Sequence, residues 1–255
     1  MLGEKLSAER AEQWGLAPLD DLFAQLDVAR AILLATSKAF DFAPEPLPAP
    51  FVHVGPYLAD PAWAEIADGM EIPMRGKAVI SHDDYRVDEE KGATPDPLMG
   101  LFPFSYRLEP DQAKATLELY LGAAEAYVGS PMLSALYGVW AAWLGDRDLA
   151  LKLLDDGYGQ FCVGRFLQTL EYRPDRFPEQ PQAGPFFANI GGFLTGLILG
   201  FTGLRVGPGG PETWAERTVV LPTGWTSIEI DRLWIKGRPM RLIARHGEMT
   251  ELQPL

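Results

Sequence analysis

Catalysis by side chains needs acids, bases or nucleophiles that a fold can bring together, and this sequence offers few of them in a familiar pattern. The densest cluster is acidic: Asp83, Asp84, Asp88, Glu89 and Glu90 fall within "SHDDYRVDEEKGATPDP", with Glu71 upstream. Such a run reads as a solvated loop or, because loops hold many binding groups, as part of a ligand site. His53, His82 and His246 stand far apart and Cys162 is alone. Neither a zinc site of ordinary ligand spacing nor an intramolecular disulfide framework is therefore expected, and no cofactor is implied.

The most unusual stretch is "GPFFANIGGFLTGLILGFTGLRVGPGG", residues 184–210, which is apolar, rich in glycine and uncharged until Arg205. A phosphate cradle is not supported, since the chain has no G-x-x-x-x-G-K-[ST] loop and no G-x-G-x-x-G turn after a strand. A membrane span has the length, because no charge occurs from Gln180 to Leu204. Against it stand Asn189, Thr195, Thr202, the prolines at 181 and 185, and the lack of a flanking basic cluster. The third reading is the wall of a core: Gly192, Gly196 and Gly200, four apart, give a helix a smooth face on which another helix packs.

Composition bounds the partners. At 255 residues, with 47 % aliphatic and aromatic residues and 22 % charged ones, the chain is ordinary for a globular protein and long enough for a real core. Its net charge of -13 repels polyanions, so nucleic acid and anionic membranes are poor partners while neutral ligands such as sugars remain open. The start, "MLGEKLSAERAEQW", is charged and lacks the apolar core of a signal peptide, so the expected location is cytoplasmic.

The elements that must position any site change character along the chain. Residues 5–15 and 18–30 read as short amphipathic helices and "AILLAT" (31–36) as a buried strand. The six prolines of "FDFAPEPLPAPFVHVGPYLADPAW" then favour an extended linker carrying one short strand, Phe51 to Val54, before a helix capped by Asp60. The segment from Glu71 to Arg107 is irregular. Three helices follow: "PDQAKATLELYLGAAEAYV" with Ala113, Leu117, Tyr120, Leu121 and Ala124 on one side, a stripe of Leu133, Leu136, Tyr137, Trp140 and Leu144, and "DRDLALKLLDDG" ending at Gly157. After the glycine stretch the period shortens to that of strands in "RTVVLP", "TSIEIDRLWIK" and "RPMRLIARHGEMTEL", with a turn at Lys236, Gly237 and Arg238 and a bulge near Asp231.

"WAEIADGMEIP" (63–73), "ISHDDY" (80–85), "EEKGATPDPLMGLFPF" (89–104), the helical pairs, "FLQTLEYRP" (166–174), "FFANIGGFLTGLILGFTGLRV" (186–206) and "LPTGWTSIEIDRLWIKGRPMRLIA" (221–244) come in the order of the second half of glycoside hydrolase family 65. The resemblance covers about residues 62–255. It implies a mostly α fold: part of an (α/α)6, six-hairpin barrel followed by a small antiparallel β-sheet, in a family of inverting phosphorylases and hydrolases of α-glucosides. Residues 20–63 resemble instead the region where a nucleotide-sugar glycosyltransferase passes from its first domain into its linker. The expected division is 1–61, a glycosyltransferase-like segment and Pro-rich linker, 62–210, a helical half-barrel, and 211–255, a C-terminal sheet.

Roles follow from the same resemblance. Glu171 matches the general base of hydrolytic members, the alternative being a surface carboxylate paired with Arg173 or Arg176. The family's general acid comes from the earlier half of the barrel, which these residues do not match, so half of the catalytic pair is expected to be missing. Lys91 matches the Lys of a Lys-Gln pair that contacts sugar or phosphate, with Gly92 in place of the Gln. Asp83, Asp84 and Tyr85 stand on a substrate-facing loop. Asn189 is expected to bond a sugar hydroxyl, and Phe187 or Tyr172 to stack on a pyranose, the alternative for each being core filling. Phosphorylases carry hydroxyl and histidine groups just before the Gly191–Gly192 pair, whereas this chain has Phe186, Phe187, Ala188 and Asn189, an apolar rim that cannot offset the desolvation of phosphate. The expectation is hydrolysis of an α-linked saccharide, with self-association or a complementing half-barrel covering an open edge. The rival is a non-catalytic sugar-binding or partner-binding remnant.

Overall fold

The computed structural model describes residues 32–34, 51–53, 69–89, 92–128, 133–207 and 209–255. The chain divides into two compact units, Met1–Glu71 and Ile72–Leu255. In the first, β1 (Ile32–Leu34) and β2 (Phe51–His53) pair in parallel, Leu33 opposite Val52. The helices expected at 5–15, 18–30 and after Asp60, and the strand ends at Ala35, Thr36 and Val54, lie outside the described residues.

The second unit opens with a two-residue hairpin, β3 (Met74–Arg75) and β4 (Ala78–Val79). It is tied down where the Val79 N–H donates to Thr116 Oγ1 at 3.0 Å. The stretch expected to be irregular contains one short helix, α1 (Asp96–Leu101), which starts with Pro97 in its first turn and buries Leu98 and Leu101. Helix α2 (Pro110–Gly122) begins at Glu109, whose N–H donates to the Gln112 side chain, and buries Leu117, Tyr120 and Leu121. A short α3 (Ala124–Tyr127) follows. A 3-10 turn at Leu133–Leu136 then leads into α4 (Tyr137–Trp143), which is buried almost all round. Helix α5 (Arg147–Gly157) starts from Asp146, whose carboxylate accepts from the Leu149 N–H. It lies so close to α4 that a Cβ on Gly138 would come 2.9 Å from that of Leu154.

The glycine stretch forms α6 (Phe187–Thr195), which widens into a π turn at Gly196–Gly200. Its glycine face meets α4, as the four-residue spacing predicts, but only in its second half. A Cβ on Gly196 would sit 3.1 Å from Val139 Cγ2, and one on Gly200 2.6 Å from Val139 Cγ1. The Trp143 indole N–H donates to the Gly200 carbonyl at 2.9 Å, anchoring the contact. Among the described residues no helix is long and apolar enough to cross a membrane.

The last three strands, β7 (Ser227–Ile235), β8 (Arg238–Arg245) and β9 (Glu251–Pro254), form an antiparallel sheet in that order. The pairing shifts between Ile230 and Leu233, so the bulge falls at Asp231 and Arg232. "RTVVLP" is not a strand, contrary to its alternation. Val219 exchanges one pair of backbone bonds with the turn at Gly247 and Glu248, and Arg147 then takes the carbonyls of Leu221, Pro222 and Trp225 at 2.8, 3.2 and 3.1 Å. With its acceptors used by a side chain, the segment has no ladder to join. Val219 and Leu221 are nevertheless fully buried, in a core that runs from Trp140 and Val139 to Leu242 and Ala244. Among the described residues the fold is mixed, helices with small antiparallel sheets, rather than mostly helical.

Gly200→Ala is expected to destabilise the protein by about 1–3 kcal/mol through overpacking against Val139. Gly191→Ala, where an added Cβ meets nothing within 4 Å, is expected to stabilise by up to about 1 kcal/mol by cutting backbone entropy. Urea unfolding of the two variants checks both signs.

Candidate functional site

Glu171 follows a small hairpin, β5 (Cys162–Val163) and β6 (Gln168–Thr169). Three backbone bonds clip it in place. Leu170 N–H donates to Phe161, Glu171 N–H to Ala183, and Phe186 N–H to Thr169, each at 2.9 Å. The chain that carries Glu171 is thereby laced to the chain that enters α6. The lacing needs Gly184, because a Cβ there would come 2.6 Å from the Thr169 carbonyl.

The Glu171 side chain is half-buried, and its carboxylate makes no hydrogen bond or ion pair among the described residues. The two arginines that could neutralise it are engaged elsewhere. Arg173, buried at 6 % exposure, grips Asp175 with two bonds of 3.0 and 2.6 Å and reaches the Asp156 carbonyl and carboxylate at 3.2 and 3.4 Å. Arg176 binds the Glu125 carboxylate and, at 3.0 Å, its carbonyl. The hydrogen bonds from these arginines hold the Asp175 and Glu125 carboxyls below the usual carboxylate range.

Asn189, in the first turn of α6, is fully buried, yet among the described residues neither its amide nitrogen nor its carbonyl oxygen has a partner. An unmade bond on a buried polar atom costs about 1–3 kcal/mol, so two of them on one side chain mark a position that does not serve stability. One helical turn on, Phe193 lies flat against Tyr158, ring centroids 4.0 Å apart and planes 4° from parallel. The Tyr158 hydroxyl is 3.5 Å from Thr169 Oγ1, which joins this aromatic floor to the hairpin before Glu171. Sequence reading missed Tyr158 and Thr169; the signal that could have found them is the four-residue step from Asn189 to Phe193.

The other expected residues divide. The ring of Tyr172 sits edge-on to Phe177 at 5.5 Å, and Phe187 is 75 % exposed at the mouth of α6. Asp83 is exposed in the loop after β4, and no bond or ring contact among the described residues links it to Glu171 or Asn189. Its neighbour Tyr85 points inward, 1 % exposed, and donates to the Gly92 carbonyl at 2.7 Å; burial, reinforced by Tyr120, pushes its pKa well above the usual phenol value. Lys91 lies outside the described residues. Gly92 is packed so tightly that a Cβ would come 2.2 Å from the Arg86 carbonyl, so no larger side chain fits at this position.

Comparison with known proteins bears on what such a carboxylate and amide could serve. The chain is 25 % identical over 194 residues to the protein-glucosylgalactosylhydroxylysine glucosidase of Danio rerio, covering 75 % of this chain and 28 % of that protein. It is 28 % identical over 174 residues to the kojibiose hydrolase of Mucilaginibacter mallensis, covering 68 % and 24 %. The chain is similar to a glucosidase and a glycoside hydrolase. It spans about a quarter of the length of these curated relatives. No protein-family model matches it.

Removing the unpaired amide separates binding from stability. Asn189→Leu, close in volume and without polar atoms, is expected to raise unfolding stability by about 1–3 kcal/mol. A loss of stability in urea titration would show that the amide has a partner.

Proposed function

We propose that Glu171 is the general base of an inverting α-glucoside-hydrolysing site whose floor is Asn189, within a partial (α/α)6 barrel. The observation that carries this reading is the pairing of a half-buried carboxylate left without a cation and a fully buried amide left without a partner, laced together through residues 169–171 and 183–186. The two similar enzymes, a glucosidase and a kojibiose hydrolase, support a glucoside as the substrate class. Tyr172 and Phe187 supply rings for a pyranose face in this reading, and Lys91 and Asp83 contacts to its hydroxyl groups. Hydrolysis is favoured over phosphorolysis because Phe186, Phe187 and Ala188 offer no side-chain donor to a phosphate.

An inverting site needs a second carboxyl, roughly 6.5–9.5 Å away, to protonate the leaving oxygen. In this reading that acid belongs to a segment outside the region of likeness, supplied by a complementing half-barrel. The base alone activates water, and its action becomes visible with a leaving group that needs no proton. α-Glucosyl fluoride is therefore expected to be hydrolysed to β-glucose by this chain while kojibiose is turned over far more slowly. Glu171→Gln is expected to lower the fluoride rate by about 10²–10⁴-fold, with folding unchanged, since the carboxylate holds nothing in place. Fluoride hydrolysis that survives Glu171→Gln contradicts the assignment.

A specific observation favours a second reading. Phe166, Leu167 and Phe187 are 84, 71 and 75 % exposed, which suits a non-catalytic module that binds a saccharide or a protein partner. That reading predicts no fluoride turnover at all, with kojibiose binding retained.

A further inference from the structure

At the far end of the helix formed by α6 and its π turn, the chain reverses through Gly203, at φ +67°. The Gly203 carbonyl accepts from the N–H groups of both Glu216 and Arg217 at 3.2 Å, and the Arg205 N–H donates to the Trp214 carbonyl at 2.8 Å. This clip sets Arg205, Glu216 and Arg217 side by side. Arg107 arrives from the segment before α2, and the four side chains line a cavity of about 110 Å³ together with Ser105 and Trp143.

The charges there do not balance. Glu216 is shared: Arg107 reaches its Oε1 at 3.2 Å and Arg205 its Oε2 at 3.3 Å. Arg205 also donates to the Ser105 carbonyl at 3.0 Å, and Ser105 itself is held at φ +58°, an unusual conformation outside glycine. Arg217 makes no hydrogen bond or ion pair among the described residues. Its guanidinium lies over the Trp143 ring, 3.9 Å from the centroid, and that ring is fixed by its bond to Gly200 and by Phe102. Arg217 is still exposed to solvent, and the desolvation it does undergo pulls its pKa below its ordinary value, Glu216 opposing and Arg205 adding to the fall. Three guanidinium groups around one carboxylate leave two positive charges in one cavity, in a chain whose net charge is -13.

The geometry points to a binding site for a phosphate dianion, between Arg107, Arg205 and Arg217. A dianion neutralises the surplus, its tetrahedral oxygens suit the fork of a guanidinium, and Arg217 gains the partner it lacks. The volume, several times the roughly 30 Å³ that a water occupies, admits an oxyanion head and leaves any attached group outside. The site is distinct from that of Glu171 and Asn189. The helix from Phe187 to Gly200 separates them by about 20 Å at 1.5 Å per residue. The phosphate is either free or the head of a phosphate monoester such as a sugar phosphate, and the two share the recognition described here.

Calorimetric titration of the intact chain with inorganic phosphate at constant ionic strength, alongside its thermal midpoint, tests the assignment without reference to any activity. Saturable binding of phosphate and sulfate, absent with chloride, is expected. Arg217→Gln is expected to weaken it about tenfold or more, the loss of a hydrogen bond to a charged group. Glu216→Gln is expected to tighten it, since it frees two guanidinium groups, and Arg238→Gln on the exposed start of β8 to leave it unchanged. Tighter binding of glucose 6-phosphate identifies a monoester as the natural occupant, and equal or weaker binding identifies free phosphate. The proposal is overturned by no saturable oxyanion binding, or by a Glu216→Gln variant, folded by circular dichroism, that binds phosphate no better than the parent.

Discussion

The contact between Val139 and the glycines at 196 and 200 is the constraint on which the rest of the second unit depends. Helix α4 carries almost no exposed side chain, so its neighbours must close around it, and on this side they can do so only where the facing helix has no Cβ. The approach fixes the axis of α6 and its π turn against the core. The two ends of that axis then have defined places. One end presents Asn189 and the Phe193 ring; the other delivers the chain, through Gly203, to the arginine cluster.

The two ends also show why stability alone does not account for this structure. A folded chain normally satisfies its buried polar atoms, yet among the described residues neither amide atom of Asn189 is paired. Salt bridges normally use the available cations, yet among the described residues Arg173 takes two aspartates while Glu171 has no cation and Arg217 no anion. Each imbalance is local and sits where the chain is held by backbone bonds rather than by the group in question. Groups positioned by their surroundings and left without partners are what a binding site needs before its ligand arrives.

How much of this was legible in the sequence depended on how local the cause was. The stripe of Leu117, Tyr120 and Leu121, the end of α5 at Gly157, and the bulge at Asp231 are set by residues a few positions apart, and they appear where the pattern puts them. The four-residue glycine spacing gave the packing face but not its limits, because only the position of Val139 decides which glycines are approached. "RTVVLP" alternates like a strand and is denied one by Arg147, which lies some seventy positions earlier. The state of Glu171 is only partly local in origin: Asp175, two residues on, takes Arg173, but Asp156 and Glu125 far earlier in the chain help to draw off Arg173 and Arg176. The arginine cavity could not be foreseen at all, as Arg205 and Arg217 are brought together by the turn at Gly203 and Arg107 is tied to them through Glu216.

In the proposed site the Asn189 amide, unpaired among the described residues, is kept for a saccharide beside Glu171. The side-chain amide resonances of Asn189, assigned by their loss in Asn189→Leu, report on it directly during titration of the Glu171→Gln protein with kojibiose. The account predicts a saturable shift of these resonances as the amide acquires a hydroxyl partner. Resonances that stay fixed while other signals show that the sugar is bound would contradict it.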